Sequence, residues 1–92
     1  DVKASVVNKK VHHIPVFYSD EFIKRNKEMN AEIGVLTVPP GIAQEVSDYM
    51  IEGGIKGIWN FTPFRIRVPA GVVLQNTSLY AHLAVMFNRL NA

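Results

Sequence analysis

The stretch "EIGVLTVPPGIAQEVSDYMIEGGIKGIWNF", residues 32–61, decides the fold. It opens on "EIGVLTV" (32–38), a continuous apolar run of β-formers that suits a strand covered on both faces. In the segment that follows, Ile42, Val46, Tyr49 and Met50 fall at i, i+4, i+7 and i+8, which is one face of a helix. Gly53 and Gly54 supply its stop, because glycine takes the left-handed conformation without a Cβ clash. "IKGIWNF" (55–61) is then a second buried strand. Two apolar strands joined by a helical crossover make a parallel α/β layer.

Downstream, "GVVLQN" (71–76) adds a third strand. Upstream, a short strand around Val16–Tyr18 feeds a helix capped by Ser19 or Asp20, whose side-chain oxygens satisfy the free N–H groups of the first turn. Phe22, Ile23 and Met29 stand among many charges there, so only a narrow stripe is buried. The last segment, "NTSLYAHLAVMFNRLNA" (76–92), is capped by Asn76, Thr77 or Ser78. Leu79, Leu83, Met86, Phe87 and Leu90 make one face, and Tyr80, Ala84 and Val85 carry apolar surface beyond it. A helix of that kind is buried on two sides. It either tucks across its own sheet or is covered on its other side by a second subunit. The expected class is α/β, a partial parallel sheet with flanking helices and an apolar C-terminal dimerisation helix. Residues 1–74 form the α/β portion, and 75–92 the helix packed on or exchanged with a second subunit.

Composition narrows the function classes. Ninety-two residues, 48% hydrophobic and 20% charged, describe one small globular domain near the lower limit of comfortable stability. The net charge of +2 is mild and the ten basic residues are scattered, without the dense stripe of a nucleic-acid surface. "NKK" (8–10) reads as a solvated loop. The absence of cysteine removes disulfides, thiolate chemistry and Cys-based zinc sites, and fits a reducing, cytoplasmic setting. No apolar run approaches the roughly 18 residues of a membrane span, and no signal peptide opens the chain. The first residue is Asp, not Met, which implies processing or a segment of something longer.

In an open parallel sheet, ligands bind outside the carboxyl ends of the strands. Two exits qualify: "TVPPG" after the first central strand and "NFTP" after the second. Proline stiffens each loop, while Thr37, Asn60 and Thr62 offer side-chain hydrogen bonds. On adjacent strands the two exits would line one crevice. Each of these residues is also ordinary turn chemistry. His12 and His13 are neighbours in an extended segment, so their rings point apart, unlike zinc ligands that converge. Glu45, Asp48 and Glu52 line a helix face as solvated charge. No catalytic triad, Gly-rich dinucleotide motif or phosphate loop is present, so neither catalytic nor metal-binding residues are assigned.

The strings "KKVHHIPVFY", "IGVLTVPPGIAQEVSDYMIEGGIKGIWNFTPFRIRVP" and "GVVLQN", in that order, resemble the C-terminal part of the Rossmann domain of the Rex family, bacterial redox-sensing transcriptional repressors. The resemblance covers essentially all 92 residues. It implies a homodimer that binds NAD as NADH or NAD⁺, with a winged-helix domain upstream of this chain reaching the DNA operator, and a C-terminal helix exchanged between subunits. It implies cofactor contacts from Thr37, Val38 and Pro39 near the ribose and pyrophosphate. Asn60, Phe61, Thr62 and Pro63 would form the nicotinamide-side wall. Asp1 matches the acidic residue that receives the adenosine ribose hydroxyls and repels a 2′-phosphate. Leu79 matches an apolar position that reaches the partner's nicotinamide pocket. Ser78 stands where the family usually has Asp, and "SLYAHLAVMFNRL" departs from the usual helix. Without the Gly-rich turn that holds pyrophosphate, residues 1–92 alone should bind nucleotide poorly. A second reading is the CoA-binding Rossmann module of a succinyl-CoA synthetase-like ligase. Those proteins follow the second strand with an Ile-Thr-Glu-Gly type of loop, and Asn-Phe-Thr-Pro here favours the repressor.

Overall fold

A computed structural model describes residues 3–16, 19–77 and 79–91, with the backbone alone described for 79–82. The elements run β1 (Lys3–Val7), β2 (Val11–Pro15), α1 (Ser19–Met29), β3 (Ile33–Leu36), a 3-10 turn (Pro40–Ile42), α2 (Ala43–Glu52), β4 (Gly57–Asn60), β5 (Val73–Asn76) and α3 (Leu79–Leu90). One five-stranded sheet has the order β2-β1-β3-β4-β5. β3, β4 and β5 are parallel, as the apolar runs required. β1 is antiparallel to both β2 and β3.

The hairpin β1–β2 was not legible in the sequence. Its "KASVV" strand buries only Ala4 and Val6, too few inward side chains to register as an apolar run. The strand expected at Val16–Tyr18 lies earlier, at Val11–Pro15, and Phe17 and Tyr18 fall outside the described residues. "NKK" is the hairpin turn, with Lys9 at φ 86° and both lysines exposed. His12 and His13 do point apart: His12 Nε2 pairs with Asn8 Oδ1 at 2.8 Å, and His13 Nδ1 with Ser5 Oγ at 2.9 Å on the other face. Asn8 Nδ2 donates to the Met29 carbonyl, which ties the turn to the end of α1.

Because strand side chains alternate, the register sorts them into two faces. Val6, Gly34, Ile58 and Leu74 share one row of the inner face, and Leu36, Asn60 and Asn76 the next. Phe22 of α1 and Val46 and Met50 of α2 belong to the same buried core as Val6, Leu36 and Ile58. Each such large apolar side chain contributes about 1.5–3 kcal/mol on burial. Gly34 lets α2 approach: a Cβ there would run into Met50 Sδ and stand 3.1 Å from Met50 Cε. The two glycines ending α2 divide their work. Gly54 takes the left-handed turn at φ 95°, whereas Gly53 is at φ −76° and is small because a Cβ would lie 2.7 Å from that of Asn26.

The outer face corrects one expectation. Among the described residues, nothing covers the outer face of β3, β4 and β5: Ile33 is 43%, Trp59 42% and Val73 70% exposed. A run of β-branched residues reads the same whichever polypeptide supplies its second cover. The described side chains of α3 are likewise left uncovered. Leu83, Val85, Met86, Phe87 and Leu90 all remain exposed.

Candidate functional site

The carboxyl ends of β3 and β4 are zipped one residue past the strands, where Phe61 N donates to Leu36 O at 2.9 Å. That bond brings both exits together. Thr37, Val38, Pro39 and Pro40 from the first, and Phe61, Thr62 and Pro63 from the second, line one crevice of about 430 Å³, with Leu83 of α3 at its side. Pro39 is extended (φ −55°, ψ 142°) and Pro40 opens the 3-10 turn, so two successive residues carry no N–H. Val38 is buried, whereas Thr37 and Pro39 are exposed.

Among the described residues, the lining contains no charged side chain. It can hold a flat, largely apolar ring and offers it the Thr37 hydroxyl and backbone carbonyls. Phosphates would require donors from elsewhere. Nor, among the described residues, does the lining hold a nucleophile paired with a base. Tyr49, on α2, has its hydroxyl pushed above the ordinary tyrosine value, first by the bond it donates to Glu45 Oε1 at 3.0 Å.

Asn60 occupies a different position from its neighbours. It is 1% exposed and sits beneath the wall. Its Oδ1 accepts from Thr62 N at 2.9 Å and Thr62 Oγ1 at 2.7 Å. Its Nδ2 donates to Phe64 O at 2.8 Å and Asn76 Oδ1 at 3.1 Å. Thr62 Oγ1 in turn accepts from Phe64 N at 3.2 Å. Of the two remaining sequence candidates, Asp1 lies outside the described residues. Leu79 begins α3, and its side chain lies outside them too.

Several contributors carried no sequence signal of their own. Gln44 pairs with Arg67 like a strand, accepting from Arg67 N at 2.8 Å and donating to Arg67 O at 2.9 Å, and so holds the 65–68 segment against α2. Trp59 Nε1 donates to Thr77 Oγ1 at 2.9 Å, and its ring centroid lies 4.5 Å from that of Phe61. Leu83 reads as one more apolar residue of its helix. Among the described residues, no helix is long and apolar enough to cross a membrane.

Comparison with known proteins identifies the family. The family model described as the CoA binding domain matches residues 1–64. The redox-sensing transcriptional repressor Rex of Bacteroides thetaiotaomicron is 60% identical over 91 residues, 99% of this chain and 41% of that protein. The Rex of Bacteroides fragilis is 63% identical, with the same coverage. The chain thus spans about two fifths of the length of these curated relatives. Among solved structures, RSP in complex with β-NADH superposes with a TM-score of 0.68 at 31% identity, covering 94% of this chain and 42% of that one. RSP in complex with β-NAD⁺ and operator DNA gives 0.67 at 31% identity, covering 94% and 40%.

Proposed function

Because the chain belongs to the CoA binding domain family and is the C-terminal part of the Rossmann domain of a Rex-family repressor, we propose that it is the nucleotide-sensing segment of a redox-responsive transcriptional regulator. The observation that carries this reading is the 60% and 63% identity to Rex repressors over 99% of the chain. The crevice at the carboxyl ends of β3 and β4, whose described lining is uncharged, supports it. NADH or NAD⁺ lies across that crevice. Thr37, Val38 and Pro39 face its ribose and pyrophosphate, and Phe61, Thr62 and Pro63 its nicotinamide side, with Asn60 bracing that wall. Asp1 receives the adenosine ribose hydroxyls, and Leu79 reaches the partner subunit's pocket.

The segment binds and does not catalyse. It works in a cytoplasmic homodimer whose operator contacts come from a winged-helix domain outside residues 1–92. NADH favours a closed dimer that cannot span the operator, and NAD⁺ the DNA-competent form. The ligase reading is set aside, because the relatives at this identity are named as repressors.

Titration calorimetry of the full-length protein tests the proposal. A carboxylate at the position of Asp1 facing a 2′-phosphate at ~4 Å costs on the order of 1–4 kcal/mol. NADH should therefore bind at least several-fold more tightly than NADPH, and should release operator DNA. Equal affinities for the two nucleotides would remove Asp1 from the site, and no binding of either would sink the sensing role.

A further inference from the structure

The crevice wall and the root of helix α3 share a single buried side chain. An asparagine amide has two N–H donors and an oxygen with two lone pairs. In Asn60 all four are engaged, and their direction is unambiguous. Thr62 N can only donate, so it meets Oδ1, and Phe64 O can only accept, so it meets Nδ2. No valence is left for a ligand. Two of the four bonds fold the 61–64 loop back on itself through Thr62, and a third clasps Phe64 O.

The fourth bond leaves the loop and reaches Asn76 Oδ1 at the end of β5. Asn60 and Asn76 are paired in register on the inner face, so this bond runs straight across the parallel ladder. The main chain repeats the connection, since Thr77 N donates to Asn60 O at 2.9 Å. Trp59 repeats it on the outer face through Thr77 Oγ1 while its ring lies against Phe61. Thr77 stands two residues before α3 begins. Displacing the Phe61–Pro63 wall therefore disturbs bonds that end at Asn76 and Thr77. In a buried, fully satisfied network each bond is costly to break alone.

We propose that Asn60 is a positioning residue that holds the Phe61–Pro63 wall in register with the root of α3, so that occupancy of the crevice is transmitted to that helix. This rests on the nucleotide-sensing reading for the identity of the occupant, but not for the linkage itself.

Two substitutions separate the parts in the full-length protein. Asn60→Asp keeps an acceptor for both Thr62 donors and loses the donors to Phe64 O and Asn76. Asn76→Ala removes only the bond that leaves the loop. Amide hydrogen exchange is followed at Thr62, Phe64, Thr77 and across α3, with and without NADH, beside an NADH titration and a thermal melt. Without nucleotide, Asn60→Asp should speed exchange at Phe64 and Thr77 while Thr62 changes little. With nucleotide, it should weaken NADH binding about tenfold, the scale of one buried hydrogen bond. Asn76→Ala should bind NADH within about threefold of wild type, a shift below that of one hydrogen bond. It should nevertheless lose a measurable part of the NADH-induced change in exchange across α3, the Thr77 N–Asn60 O and Trp59–Thr77 bonds carrying the rest. An Asn76→Ala protein with a wild-type response in α3 overturns the proposal, as does unchanged exchange at Thr77 in Asn60→Asp. If Asn60→Asp does not fold, Asn76→Ala decides alone. If wild type binds no NADH, the sensing role fails, and the nucleotide-free exchange at Thr77 still decides the linkage.

Discussion

Asn26 lies on α1 with no exposed surface, donating Nδ2 to the Phe22 carbonyl at 2.9 Å, while its Oδ1 meets no partner among the described residues. Ser47 Oγ on α2 is in the same state. A buried acceptor without a donor carries a desolvation penalty, and replacing it by an apolar group of similar shape is neutral or stabilising. Asn26→Leu and Ser47→Ala should each leave the denaturation midpoint unchanged or raise stability by up to about 1 kcal/mol, checked by urea unfolding. Gly34→Ala should do the opposite. Its methyl would run into the flexible end of Met50, which is fully buried and must shift, so the cost is at the low end of overpacking, about 1 kcal/mol in the same unfolding experiment. Asn60 shows where sequence reading stops at this scale. An Asn at the end of an apolar strand announces a turn or a site, but whether its amide faces a ligand or its own loop depends on Thr62, Phe64 and Asn76 converging on it. Of those three, Asn76 is sixteen positions away.

Among the elements, α2 was legible because Val46 and Met50 recur at a helical period, and β3 and β4 because their apolar residues run on in sequence whichever face they occupy. The antiparallel pairing of β1 with β3 was not, since strand direction depends on partners and not on local pattern. β3 and α3 carry the apolar composition that two-sided burial needs, yet the described residues do not supply the second cover. Phe87 is 60% and Met86 59% exposed, so neither faces its own core. Met86→Glu and Phe87→Glu should therefore behave alike. Exposed substitutions away from caps and networks change stability by no more than about 0.5 kcal/mol. Both should leave the isolated fold intact but weaken self-association, read by sedimentation beside a thermal melt. A Phe87→Glu protein that unfolds while Met86→Glu does not would mean that Phe87 is packed internally.

The whole molecule is longer than its residue count implies. Its radius of gyration is 14.3 Å over extents of 50 × 30 × 27 Å, against about 12 Å for a compact chain of this length. The excess fits a helix that adds length without adding core. A helix bearing five exposed large apolar residues, beside a sheet face exposing Ile33, Trp59 and Val73, calls for a second body. A two-fold pairing would bury that surface in both copies at once. Light scattering at ~100 µM should accordingly give a mass above one chain, whereas a compact monomer would mean that α3 folds back in solution. Trp59 adds something of a different kind. It is the chain's one tryptophan, with its indole N–H bound to Thr77 at the root of α3 and its ring against Phe61 of the crevice wall. The joint between pocket and helix thus carries its own lamp. Ultraviolet emission from residue 59 will shift in colour and intensity when either side of the joint moves, and an ordinary fluorimeter can follow the switch without a label.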